Sequence, residues 1–219
     1  MRITKEPEER KTEIIDAAEE LFLTKGYSKT TIIDILQKVG IAKGTFYYHF
    51  QSKEEVMDAI VMRFINKGVE NAKVIASNPD LTAPEKMFQI LMSPQPGTEN
   101  KQQMVDQFHQ VNNAEMHQKS LVETILKLTP ILTAVIEQGI EEGVFKTSYP
   151  RETVEFLLVS SQFLFDEGIF QWQPAELMKK AAAFSSIMEN VLEAEKGTFS
   201  YISELLGKMP EKEKEEEGD

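Results

Sequence analysis

The chain has 219 residues, a formal net charge of −12 and no cysteine, which excludes a disulfide framework and thiol catalysis. No run of about 18 apolar residues is present to span a membrane, and the opening MRITKEPEERK lacks the apolar stretch of a secretory signal, so a cytoplasmic protein is expected. Three histidines and no clustered acid–base motif argue against an enzyme, and no cofactor is implied. His109 and His117 stand eight residues apart and cannot share a metal as an i, i+4 pair would. The acid is unevenly spread. Residues 1–53 hold nine Lys or Arg against eight Asp or Glu, and the rest of the chain holds 15 against 28. A polyanionic partner would therefore meet the N-terminal part through a few placed contacts rather than a broad basic surface.

In chain order, Ile14, Ala17, Ala18, Leu21 and Phe22 recur at steps of three and four, which gives a first helix one apolar stripe, with Glu13, Asp16, Glu19 and Glu20 on its wet side. Gly26 is expected to end it in a left-handed cap, with Tyr27 folded back onto Phe22 and Lys25 near the negative end of the dipole. Thr30 or Thr31 caps a second helix, whose stripe is Ile32, Ile35, Leu36 and Val39, and Gly40 stops it. Ile41 then turns the chain into a third, short helix. At about 100° per residue, Phe46 and Phe50 share its inner face, while Gly44, Thr45 and Tyr48 lie opposite with His49 at the edge. A merely solvated face would carry Glu and Lys. One glycine, one threonine and a phenol suit a helix entering a DNA major groove, where Gly44 permits close approach and Thr45 and Tyr48 meet base edges. Lys43, Tyr47 and His49 flank that face and are placed for phosphates. Ser52 and Glu55 form a capping box for a fourth helix. Lys53, in its first turn, is disfavoured by the dipole, an oddity that a phosphate partner would resolve.

The segment from about Thr12 to about Ala59 resembles the DNA-binding region of the TetR family of bacterial transcriptional regulators. The likeness is carried by Lys25-Gly26-Tyr27 closing the first helix, Thr30-Thr31 opening the second, Gly40-Ile41-Ala42-Lys43-Gly44-Thr45-Phe46-Tyr47-Tyr48-His49-Phe50 through the turn and third helix, and Ser52-Lys53-Glu54-Glu55 opening the fourth. Leu36 departs from the pattern, standing where the family often has a small Ala. Together these readings give an expected DNA-contacting set of Thr31, Lys43, Gly44, Thr45, Tyr47, Tyr48, His49 and Lys53.

Beyond Ser52 the pattern stays helical, so the chain is expected to be all-α. An N-terminal three-helix helix-turn-helix head would occupy 1–51, a larger helical domain for ligand binding and dimerisation 52–207, and an acidic, disordered tail 208–219. Helices are predicted at about 52–76, 83–92, 100–119, 120–142, 150–171, 174–194 and 198–207, with Pro130 kinking or splitting the fourth of these.

In the resembling family the last two long helices pair with their copies in a second subunit. Residues 154–170 and 175–192 sit at the matching place, which implies a homodimer with Phe156, Leu157, Phe163, Phe165, Ala182 and Met188 at its interface. The resemblance also implies a ligand pocket, for which Met87, Phe88, Met92, Met104, Phe108 and Met116 are the candidates; ordinary core packing is the competing reading of each. Asp166 and Glu167 fit a solvated helix end or an interface better than a site for a cationic ligand. The expected function is a homodimeric repressor that leaves a pseudo-palindromic operator on double-stranded DNA when a small apolar or amphipathic inducer binds. The alternative is a DNA-binding regulator controlled by a protein partner, with no inducer. The fourth helix would transmit the signal.

Overall fold

Helices are the only regular elements in the computed structural model, which describes residues 6–92, 114–166 and 168–203. In order they are α1 (Pro7–Lys25), α2 (Ile32–Val39), α3 (Lys43–His49), α4 (Lys53–Ala76), α5 (Ala83–Met92), α6 (Ala114–Glu141), α7 (Pro150–Leu164) and α8 (Pro174–Val191). The expected acidic tail, Met104, Phe108, His109 and Glu167 lie outside the described residues, as does the side chain of Met92.

The chain forms two compact units. Of the described residues, 6–70 and 114–124 belong to the first, and 71–92, 125–166 and 168–203 to the second. Both α4 and α6 thus contribute to each unit. The first unit is held by Ile14, Ala18, Phe22, Tyr27, Ile35, Phe46, Phe50, Val56, Met57, Ile60 and Met116, all buried in one cluster. The stripes that periodicity assigns to α1 and α2 are the faces that enter it. Leu36 is partly buried against the same cluster, so the larger residue is accommodated at the edge of the core.

Local chemistry sets the helix ends. Pro7 opens α1, where its missing amide costs no hydrogen bond. Gly26 has a positive φ of 87° but a ψ of 147°, so the chain leaves α1 in an extended step instead of the expected left-handed cap. Gly40 does adopt the left-handed cap, at φ 73° and ψ 39°. The predicted break between residues 119 and 120 is absent, because α6 runs unbroken from Ala114 to Glu141. Pro130 does not end it either. The carbonyl that Pro130 leaves without an amide belongs to Leu126, which is 63 % exposed, so the missing bond falls on a wet face.

The predicted helix 150–171 stops at Leu164. Trp172 folds back to donate its indole Nε1–H to the Leu164 carbonyl at 2.8 Å, and Asp166 accepts from the Gly168 amide at 2.8 Å. These bonds satisfy a helix end and the turn after it, through a contact eight residues apart that periodicity cannot reveal.

The second unit has its own core, in which Met87, Leu132, Val135, Ile136, Phe145, Val154, Leu158, Met188, Leu192 and Phe199 are buried. Phe145 stacks on Phe199 with ring centroids 5.9 Å apart. Its ring lies where any side chain at Gly139 would have to go. Lys86 is 4 % exposed; its ammonium donates to the Ala76 carbonyl at 2.7 Å and to Gln138 Oε1 at 2.6 Å, so the end of α4 is tied to α5 and α6.

Candidate nucleic-acid interface

The presentation of α3 begins with what lies under it. Phe46 is fully buried and Phe50 is 2 % exposed, whereas Tyr48 is 74 % exposed. One helix of seven residues is thus anchored by two rings on one side and offers a phenol on the other. Gly44 has open space around the position of a missing Cβ, and Lys43 is exposed beside it. Thr45 and His49 are half-buried, with the His49 ring edge-on to Tyr48 at 4.8 Å. Tyr47 is exposed, with its ring 5.6 Å from the Lys43 ammonium. The first amides of α3 receive no side-chain cap, since Ala42 occupies that position.

The turn ahead of α2 fixes the support for this helix. Thr30 is buried, and its hydroxyl donates to the Gly26 carbonyl at 2.8 Å. Thr31 is the residue that caps α2. Its hydroxyl accepts from the Asp34 amide at 3.2 Å, while Asp34 Oδ2 accepts from the Thr31 amide at 2.7 Å. Periodicity leaves the choice between Thr30 and Thr31 open; the Thr-x-x-Asp spacing from Thr31 to Asp34 is the signal that would have settled it. The Lys25 ammonium, then the Thr31 amide and hydroxyl, hold the Asp34 carboxyl down to about 2.

Lys53 is placed differently from a free surface lysine. Its ammonium donates to the Tyr27 carbonyl at 2.8 Å and the Thr30 carbonyl at 2.9 Å, and lies 4.1 Å from the centre of the Tyr27 ring. Its oddity in the first turn of α4 is thereby resolved inside the protein. Partial burial lowers its pKa, and the neighbouring Glu54 acts against that shift. At the same helix start the Ser52 hydroxyl accepts from the Glu55 amide at 3.1 Å, while the Glu55 carboxylate accepts from the amide of Gln51 at 2.5 Å. The cap is therefore shared between two residues instead of closing on Ser52 alone.

The cations of this unit are mostly spoken for. Lys25 pairs with Asp34 at 2.6 Å, Lys38 with Glu20 at 2.7 Å, and Arg63 with Asp16 and Glu19. Among the described residues, Lys29 and Lys43 are exposed lysines of the head that form no ion pair. Among the described residues, much of the head's positive charge is thus held in ion pairs, with Lys29 and Lys43 left unpaired.

The second unit holds the other expected sites. A cavity of about 280 Å³ is lined by residues of α5 to α8, among them Met87, Leu132, Leu157, Gln162, Phe165 and Met188. Of the pocket candidates, Met87 lies there; Phe88 is 44 % exposed with its ring against Tyr201 at 5.0 Å, and Met116 is buried in the first unit's core. Leu157 and Phe165, read from sequence as interface residues, line the same cavity, and Met188 is 2 % exposed inside the core. Phe156, Phe163 and Ala182 do face outward. Phe156 and Phe163, with Val159 on α7 and Ile187 and Val191 on α8, form an exposed apolar face, whereas Ala182 points to another side of α8. Asp166 does not line the cavity. Among the described residues no helix is long and apolar enough to cross a membrane.

Residues 14–60 match the family described as bacterial regulatory proteins, tetR family, and residues 97–187 match the tetracyclin repressor-like C-terminal domain. The chain is 30% identical over 142 residues to the fatty acid metabolism regulator protein of Bacillus subtilis (strain 168), across 61% of this chain and 70% of that one. It is 42% identical over 57 residues to the HTH-type transcriptional repressor KstR2 of Rhodococcus jostii (strain RHA1), a match covering 26% of this chain and 28% of that repressor. Among solved structures, a transcriptional regulator of the TetR/AcrR family from Thermobifida fusca YX-ER1 aligns with a TM-score of 0.56 at 22% identity, over 93% of this chain and 100% of that one. At that identity the likeness speaks for the fold.

Proposed function

The chain belongs to the TetR family of bacterial transcriptional regulators, and from that premise we propose that it is a homodimeric repressor, released from a pseudo-palindromic operator by a small apolar or amphipathic inducer. The observation that carries the DNA reading is the division of α3, with Phe46 and Phe50 inside and Tyr48 outside. Thr45 and Tyr48 read bases through the major groove. Thr31, Lys43, Tyr47 and His49 hold phosphates, and Gly44 lets the backbone come close. Lys53 sets the α1–α2 turn through its two carbonyl contacts and offers its remaining N–H to a phosphate.

Residues 1–51 form the reading head, and 52–207 the ligand-binding and dimerisation domain. The exposed apolar face of α7 and α8 supports pairing with a second subunit. Two heads spaced by roughly 34 to 36 Å would read two half-sites. Because α4 contributes to both compact units, it carries the inducer's effect to the head, with a coupling of about 1–3 kcal/mol typical of such linkage.

Sedimentation equilibrium and duplex binding on the full chain test this reading. It requires a dimer, salt-sensitive binding, and enrichment of inverted repeats from a random duplex pool. A monomer at micromolar concentration, or binding without sequence preference, ends it.

A further inference from the structure

We propose that the cavity of the second unit takes an uncharged, single-headed apolar molecule, with its one polar group held by Gln162. The choice of this cavity rests on the ligand-responsive reading above. Its volume of about 280 Å³ is that of about nine water molecules at roughly 30 Å³ each, which suits a chain of about that many heavy atoms. Met87, Leu132, Ile136, Val154, Leu158 and Met188, all buried, line it together with other apolar side chains. Among the described residues, no Asp, Glu, Lys, Arg or His lines it.

Among the described residues that line it, the two polar ones are adjacent on α7. The Ser161 hydroxyl already donates to the Leu158 carbonyl at 3.1 Å. The Gln162 carboxamide, half-buried, has no hydrogen-bond partner among the described residues. A carboxamide both donates and accepts, so it suits an alcohol, ketone or ester. An ionised head at the same place would lose water and gain no counter-charge, a cost that burial in an apolar site does not return. Asp166, the carboxylate nearest in sequence, accepts from the Gly168 amide at 2.8 Å and stays out of the lining. Met87 and Met188 add flexible walls that adapt to chain shape.

Three probes with one chain and different heads test this on the full-length protein: 1-octanol, octanoate and octyltrimethylammonium, by calorimetry and thermal shift at pH 8. The expected result is 1-octanol binding about tenfold or more tightly than either ion. Gln162→Leu should weaken 1-octanol about tenfold, and Met188→Trp, which fills the cavity, should abolish its binding. Should Met188→Trp misfold, Gln162→Leu at its half-buried position still decides. Ions that bind as well as the alcohol, failure of all three probes, or a Gln162→Leu variant with unchanged 1-octanol affinity overturns the proposal. DNA affinity is measured in parallel. Octanol that binds as described without loosening DNA retires the inducer reading and leaves the ligand class of the cavity standing.

Discussion

Lys53→Met separates two roles that one lysine could play. In the structure its ammonium donates to the carbonyls of Tyr27 and Thr30 at 2.8 and 2.9 Å and lies over the Tyr27 ring. Hydrogen bonds to a charged group contribute about 1.5–3 kcal/mol each, but ordering a long side chain and its partial desolvation offset much of that. That desolvation lowers the Lys53 pKa. Methionine removes both bonds; the Tyr27 carbonyl still accepts from the Thr30 amide at 3.2 Å, but the Thr30 carbonyl loses its donor, so a net loss of about 2 kcal/mol is expected. For a chain of this size that lowers Tm by roughly 4–8 °C. Circular dichroism melts measure it, and duplex titrations over a salt series at 25 °C, where both proteins are folded, measure the phosphate role. The slope of log K against log salt should fall by about 0.9 if the remaining N–H meets one phosphate. A Tm unchanged to within about 1 °C would refute the internal role, whatever happens to DNA affinity.

Further outcomes follow from other contacts. Phe156→Glu, at a position 76 % exposed, should leave the fold intact, give a monomer in sedimentation, and cost on the order of 100-fold in operator affinity by removing the linked second head; a dimer of normal affinity would move the interface elsewhere. Asp34→Asn tests the α2 cap. Because the folded Asp34 carboxyl is held at about 2 against an ordinary 3.8, its stabilisation is fully present above the ordinary value and lost as pH falls through the folded one. The wild type should therefore melt above the variant at pH 5, with the gap closing towards pH 2, and a gap independent of pH would contradict the capping geometry. Gly139→Ala gains about 1 kcal/mol of helix propensity but drives a methyl into the buried Phe145 ring, at a cost of about 1–3 kcal/mol. A lower denaturation midpoint is expected, and a higher one would show that the ring yields freely.

Much of the head was legible because its signals are local. The stripe of α2, the glycine cap at Gly40 and the wheel of α3 each lie within a dozen residues, and the buried Ile35, Phe46 and Phe50 follow from them. Contacts across long separations were not legible. Lys53 reaches back 26 residues to the Tyr27 carbonyl, so its position at a helix start could be read only as an electrostatic oddity. Trp172 ends α7 through its side chain, which no propensity records. The described methionines of the pocket set could not be sorted from sequence for a related reason. Periodicity says that a methionine faces inward but not which interior it faces, and Met87 and Met116 belong to different compact units.

The central claim is that the outward face of α3 reads sequence. The most direct measurement is the affinity of wild type and Tyr48→Ala for a duplex enriched from a random pool, against the same duplex with one half-site base pair changed at a time. Tyr48 is 74 % exposed, so the variant should melt as the wild type does while losing about 1–3 kcal/mol of discrimination at one or two base pairs. A variant that keeps the wild-type base preferences at every position would contradict the account.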